Sequence, residues 1–148
     1  MGITGPRPYF AYGSNMDSAQ MRKRCPEAVF ASIGLVRGWQ FRINRRGVGT
    51  IVPKADGVVY GVIWLISPSD ERALDSHEGV GRGLYRKDPI EARILGRPPF
   101  EALVYLANDA QPGAVRPGYL ETIIAAAIVH GLPSDYIQEL KTWSMTSG

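Results

Sequence analysis

Apolar runs of strand length dominate the first two thirds of this chain, and helix signatures sit between and after them. Residues 8–12, PYFAY, read as a short buried strand that stops abruptly at Gly13. Residues 28–35 and 39–44 read as two more strands, with Arg45-Arg46-Gly47 as punctuation. Residues 50–53 and 58–66 predict a hairpin around Lys54-Ala55-Asp56-Gly57, because Asp-Gly between apolar runs is a strong turn signal. Residues 84–94 and 100–106 complete the strands, and Pro89 inside the first of these predicts an edge position or a bulge.

The helix signals are mostly caps. Asp17 with Gln20 three residues on has the form of a capping box. Ser67-Pro-Ser-Asp70 opens a second helix with Pro68 at its first position, ending near Ser76 where Glu78-Gly79-Val80-Gly81-Arg82-Gly83 breaks the pattern. Pro117 opens the longest helix, which runs to His130 and stops at Gly131, and Pro133-Ser134 starts a last one to about Lys141. Many strands with a few helices predict an α+β fold: a small, mixed, β-barrel-like curved sheet with peripheral helices. No linker, repeat or low-complexity tract interrupts residues 1–148, so one domain is expected.

Charge and cysteine usage narrow the classes. Seventeen basic against 14 acidic residues leave +3, and the basic residues are scattered. Arg22-Lys23-Arg24 reads as the solvated face of a helix and Arg45-Arg46 as part of a hairpin turn. Neither makes the continuous basic stripe that a nucleic-acid partner requires. The longest apolar stretch, residues 57–66, is too short to cross a bilayer as a helix, so no membrane partner is expected. The opening MGITGPRPYF has no leader pattern and carries Pro6 where a myristoylation site wants Ser or Thr. A single cysteine, Cys25, cannot form an internal disulfide, and a cytoplasmic home follows as the default. His77 and His130 lie far apart and no Cys/His spacing marks a metal site. With no phosphate loop or dinucleotide fingerprint either, no metal or cofactor is expected. Oligomeric state stays open, a homodimer included.

Two glycine-punctuated stretches carry candidate chemistry. In the first, a strand leads through Tyr12-Gly13-Ser14-Asn15 into a capped helix. Successive backbone N–H groups there can form an anion or oxyanion nest, or the segment is a plain strand-to-helix turn with Asp17 occupying the helix end. In the second, LDSHEGVGRGLY (residues 74–85), Glu78 falls just past a helix C-terminus. The helix dipole disfavours its charge there, and burial would raise its pKa towards the range of a general acid/base. A solvent-exposed acid in a glycine loop is the alternative. Cys25 and Trp39, Trp64 and Trp143 read as structural, and His77 as a surface residue.

Together these stretches resemble the γ-glutamylcyclotransferase family. The marks are a YGSN-type loop after the first strand (Tyr12–Asn15) and a Leu-Asp-x-x-Glu-Gly segment with a Tyr seven residues after the Glu (Leu74, Asp75, Glu78, Gly79, Tyr85). The flanks agree from about Tyr9 to Trp143. The resemblance implies a small barrel with external helices and a cofactor-free enzyme acting on a small-molecule γ-glutamyl substrate. In such enzymes the substrate's own α-amine attacks its γ-carbonyl, releasing 5-oxoproline and a free amine or amino acid. It makes Glu78 the acid/base and Tyr12, Gly13, Ser14 and Asn15 the binding loop. Tyr85 then bonds Glu78 or the substrate, or walls the pocket. The segment RRGVG (residues 45–49) is shorter than the loop some relatives carry beside the pocket, and Arg45 or Arg46 could there meet an acidic leaving group. A non-catalytic module for an amino-acid-like anion, or an enzyme removing a γ-glutamyl protecting group, would use the same residues.

Overall fold

The structure is a computed structural model that describes residues 6–145, so the first five residues of the opening weighed above for a leader lie outside the described range. Five strands, β1 (Arg7–Ala11), β2 (Val29–Ile43), β3 (Gly49–Ile66), β4 (Tyr85–Ala92) and β5 (Phe100–Ala107), form one sheet in the order β2-β3-β1-β5-β4. β1 runs parallel to β5 and antiparallel to β3, so the sheet is mixed. Four helices, α1 (Ser18–Arg24), α2 (Pro68–His77), α3 (Tyr119–His130) and α4 (Ser134–Lys141), complete the α+β fold.

The sheet is strongly curved but unclosed. Its two edges meet in a single bridge, where Leu35 and Arg93 exchange backbone hydrogen bonds at 3.0 and 2.9 Å. β4 is an edge strand, which is why Pro89 is accommodated without breaking it: the missing N–H faces away from the ladder to β5.

Two expectations are corrected. Residues 28–35 and 39–44 are one strand rather than two, kinked by register shifts at Phe30/Ser32 and Arg37/Trp39. The Asp-Gly signal at 56–57 makes no hairpin either. Asp56 adopts φ 63°, and residues 54–57 bulge out of a continuous β3 between the pairs Trp39↔Pro53 and Arg37↔Val58. The true hairpin turn lies at residues 44–48. There Asn44 Oδ1 accepts from the N–H groups of Arg46 (3.0 Å) and Val48 (3.3 Å), and Gly47 takes φ 80°.

Strand direction explains where a site can form. β1 and β5 end, β4 begins and β2 turns into β3 at the same end of the sheet. The loops after β1, before β4, between β2 and β3, and after β5 therefore converge. The core beneath is continuous, with Phe10, Phe41, Ile63 and Leu103 buried from the sheet, and Leu120, Ile123 and Ala127 from one face of α3 at helical spacing.

Candidate active site

A cavity of about 340 Å³ opens at this convergence, at the small end of the range for ligand pockets. It brings together all six residues singled out from the sequence: Tyr12, Gly13, Ser14, Asn15, Glu78 and Tyr85.

Glu78 caps the C-terminus of α2, its N–H donating to the Leu74 carbonyl at 2.8 Å. The next residue, Gly79, takes φ 67°, and a Cβ there would stand 2.8 Å from Leu84 Cδ1. Only glycine therefore lets the chain fold back towards β4. Among the described residues, Glu78 is the only carboxylic side chain lining the cavity. Burial pushes it up from an ordinary 4.5 to about 7, while the Arg24 and Arg46 guanidinium groups pull weakly the other way. No hydrogen bond contributes to this balance, so the carboxyl faces the cavity without a protein donor among the described residues.

α2 itself is held by its own polar contacts. Ser67 and Asp70 form a complete capping box at its start (3.1 and 3.2 Å). Asp75 accepts from the Tyr105 hydroxyl at 2.7 Å and from Lys87 Nζ at 3.0 Å, and Lys87 also bonds Glu71 at 2.7 Å. The Asp of the Leu-Asp-x-x-Glu segment thus ties the last turn of α2 to β4 and β5, fixing the point from which Glu78 projects.

The loop after β1 forms a single 3-10 turn, Ser14–Met16, before α1. Asp17 Oδ2 accepts from the Gln20 N–H at 2.9 Å, so the end of α1 is taken by the protein and is no anion site. The capping box is one-sided: Gln20 Nε2 reaches Ser14 Oγ and Asn15 Oδ1, both at 3.0 Å, instead of the Asp17 backbone. The N–H groups of Gly13, Ser14 and Asn15 have no acceptor among the described residues, which leaves three successive donors at the cavity.

Asn15 is buried, with its side chain and carbonyl held by protein partners. Its Nδ2 donates to the Tyr9 hydroxyl (2.9 Å), Oδ1 also accepts from Arg24 Nη1 (2.8 Å), and its carbonyl accepts from Trp64 Nε1 (3.0 Å). It acts as the hub that shapes the loop, both polar atoms of its side chain meeting protein partners.

Both tyrosines contribute rings instead of free hydroxyls. Tyr12 donates to the Tyr105 carbonyl at 2.5 Å, and Tyr85 donates to the Gly49 carbonyl at 2.6 Å, so Tyr85 makes no bond to Glu78.

Several contributors escaped the sequence reading. Arg24 was assigned to a solvated face, yet it sits three residues after the buried Met21, on the same side of α1, and turns to Asn15 and the cavity. That spacing was the available signal. Arg46 and Arg45 part company: Arg45 pairs with Asp109 at 2.9 Å, whereas Arg46 lines the cavity. Tyr119, at the first turn of α3, accepts from the Gly49 N–H at 2.9 Å and keeps its own proton to donate beside Gly13. A lone tyrosine opening a helix gives no such warning. His77 is exposed, as expected, but stands at the cavity rim. Cys25 is buried, donates to the Asp70 carbonyl at 3.6 Å and is pushed up to about 12 by burial, in keeping with a structural thiol.

Residues 58–140 match the family model described as the AIG2-like family. The chain belongs to that family. Curated relatives that the chain is similar to are named γ-glutamylcyclotransferase. The mouse γ-glutamylcyclotransferase is 29% identical over 90% of this chain and 76% of its own length, and the human one is 27% identical over 94% and 81%. A solved γ-glutamyl cyclotransferase structure superimposes with a TM-score of 0.85 at 26% identity, covering 92% of this chain and 86% of the other. No helix among the described residues is long and apolar enough to cross a membrane.

Proposed function

We propose that this AIG2-like protein is a γ-glutamylcyclotransferase that cleaves γ-glutamyl amides by intramolecular attack, giving 5-oxoproline and a free amine or amino acid. The observation that carries this reading is the pairing, in one small cavity, of an unbonded carboxyl poised near neutral pH with three unpartnered backbone N–H groups. The names of its relatives support the same activity.

The chemistry follows from the geometry. The substrate α-amine arrives as an ammonium with a pKa of about 8 and must lose a proton before it attacks. Glu78, with a pKa of about 7, accepts that proton and later delivers it to the departing nitrogen. The amine nitrogen then bonds the γ-carbonyl carbon, closing the five-membered lactam as the γ-amide C–N bond breaks, and the second proton it sheds passes by way of Glu78 to the released amine, which leaves as an ammonium. Nucleophile and electrophile belong to one molecule, so the enzyme has only to hold the substrate folded. The Gly13–Asn15 N–H groups, with Tyr119 Oη, supply donors for the developing oxyanion or for the substrate α-carboxylate. No serine or cysteine nucleophile is needed. The aromatic walls of Tyr9, Tyr12 and Tyr85 limit the access of water to the reacting carbonyl.

The test is direct. The purified protein and its Glu78→Gln variant are incubated with γ-glutamyl amino acids, γ-glutamyl amines and glutathione, and 5-oxoproline is detected by mass spectrometry. Product from the wild type and its loss in the variant are expected. Equal turnover by both proteins would refute the role of Glu78. Silence across the panel would favour a binding module or an enzyme for a larger γ-glutamyl intermediate.

A further inference from the structure

Glu78 is the single carboxyl of the cavity, but four guanidinium groups line it: Arg24, Arg46, Arg82 and Arg116. None of the four forms an ion pair within the described residues, although Arg7, Arg45, Arg86, Lys87 and Arg93 all do. Arg24 is occupied on one nitrogen by the neutral Asn15 Oδ1 and stands beside the Gly13–Asn15 donors. Arg46 and Arg116 come from the opposite side, the β2–β3 turn and the segment before α3. They are locked together: Arg116 Nε donates to the Arg46 carbonyl at 2.6 Å, and Arg116 packs on Gly47 so closely that a Cβ there would stand 2.6 Å from Arg116 Cγ. Asn44 fixes the same turn through the Arg46 N–H. Arg116, itself exposed, is thereby held against the turn from which the half-buried Arg46 projects.

A charge count shows what such a cavity accepts. The γ-glutamyl end of a substrate is a zwitterion, its ammonium cancelling its α-carboxylate, and Arg24 with the loop donors suffices for that carboxylate. With the ionised Glu78 carboxylate answering one charge, a neutral amine as leaving group would leave two of Arg46, Arg82 and Arg116 unanswered. A simple amino acid brings one carboxylate and still leaves one of the three, whereas a leaving group with two carboxylates answers all of them. Guanidinium groups bind carboxylates through charge-assisted, often two-pronged hydrogen bonds, and the partly enclosed site weakens solvent screening.

We infer that, within the cyclotransferase reading on which this rests, the protein selects γ-glutamyl substrates whose leaving group is itself dianionic, an acidic amino acid, with Arg46 and Arg116 as the specificity-determining pair.

The test compares substrates of one shape and different charge: γ-glutamyl-glutamate and γ-glutamyl-glutamine. At low salt, kcat/KM for 5-oxoproline release should favour the first by about tenfold or more, the size of one charge-assisted hydrogen bond. The ratio should fall towards one in Arg46→Gln and in Arg116→Gln, and shrink in the wild type as salt is raised. Equal kcat/KM in the wild type, or a ratio that neither substitution nor salt changes, overturns the inference while leaving the cyclotransferase reading intact. If neither compound is turned over, that reading fails for this substrate pair. Calorimetric binding of the two compounds to the Glu78→Gln protein then decides the inference alone. A tenfold tighter Kd for the acidic compound supports it, and equal affinities or no binding of either overturns it.

Discussion

Glu78→Gln should make the protein more stable above neutral pH while removing its activity. Glu78 is pushed up to about 7 in the folded protein, against an ordinary 4.5 for an unfolded glutamate. Because the folded value is the higher one, proton binding favours the folded state fully below about pH 4.5, and that contribution is lost as the pH rises through about 7. Each tenfold difference in proton affinity is worth about 1.4 kcal/mol, so the whole gap comes to about 3 kcal/mol, and the opening of the cavity to solvent trims it to about 2–3. Glutamine keeps the shape and carries no charge to desolvate. The assay is urea unfolding of both proteins at several pH values. The variant and wild type should be nearly equal at about pH 4. The difference should grow from about pH 4.5, reach a plateau of about 2–3 kcal/mol above about pH 7, and favour the variant. A difference independent of pH, or a wild type more stable than the variant at about pH 9, would refute the claim that Glu78 is held in a desolvating cavity.

Further tests bear on the site from other sides. The acid limb of kcat/KM should fall at about pH 7 instead of near 4.5, since Glu78 must be ionised to take the proton, and the alkaline limb should follow the substrate ammonium at about 8. Initial rates across pH 5 to 10 measure both limbs, and an acid limb near 4.5 would remove Glu78 as the base. Arg46→Gln withdraws a charge that holds Glu78 down, so the same limb should move above 7. Gly79→Ala forces a Cβ onto Leu84 at φ 67° and should cost about 1–3 kcal/mol in denaturant unfolding, whereas Gly13→Ala should barely change stability. The new methyl of Gly13→Ala meets only the Tyr119 hydroxyl, at 3.4 Å, and narrows the cavity, so KM should rise. Asp75→Ala leaves the Tyr105 hydroxyl only its long bond to the Glu71 carbonyl and removes one Lys87 contact, for a loss of about 1–3 kcal/mol in unfolding together with a fall in kcat as the last turn of α2 loosens.

Local chemistry was legible in the sequence where a residue's role depends on its chain neighbours. Asp17 and Ser67 cap helices because their oxygens reach N–H groups three residues on, and Pro89 marks an edge strand because it lacks a donor. The Leu-Asp-x-x-Glu-Gly spacing placed Glu78 at a helix end for the same reason. The Asp56-Gly57 signal misled because a left-handed residue serves a bulge as well as a hairpin turn, and only the long ladder between β2 and β3 chooses between them.

What the tertiary structure alone decided is the company that Glu78 keeps. The parallel pairing of β1 with β5 and the antiparallel pairing of β3 with β1 bring four loops, distant in sequence, to one end of the sheet. That convergence half-buries Glu78 and desolvates its carboxyl, turns Arg24 and Arg46 inward and sets Tyr119 beside Gly13. It also commits the hydroxyls of Tyr12 and Tyr85 to the carbonyls of Tyr105 and Gly49. Residue type and spacing set which groups can donate, accept or carry charge. Desolvation and partnership depend on atoms far along the chain, so the pKa of Glu78 and the charge balance around it are properties of the fold.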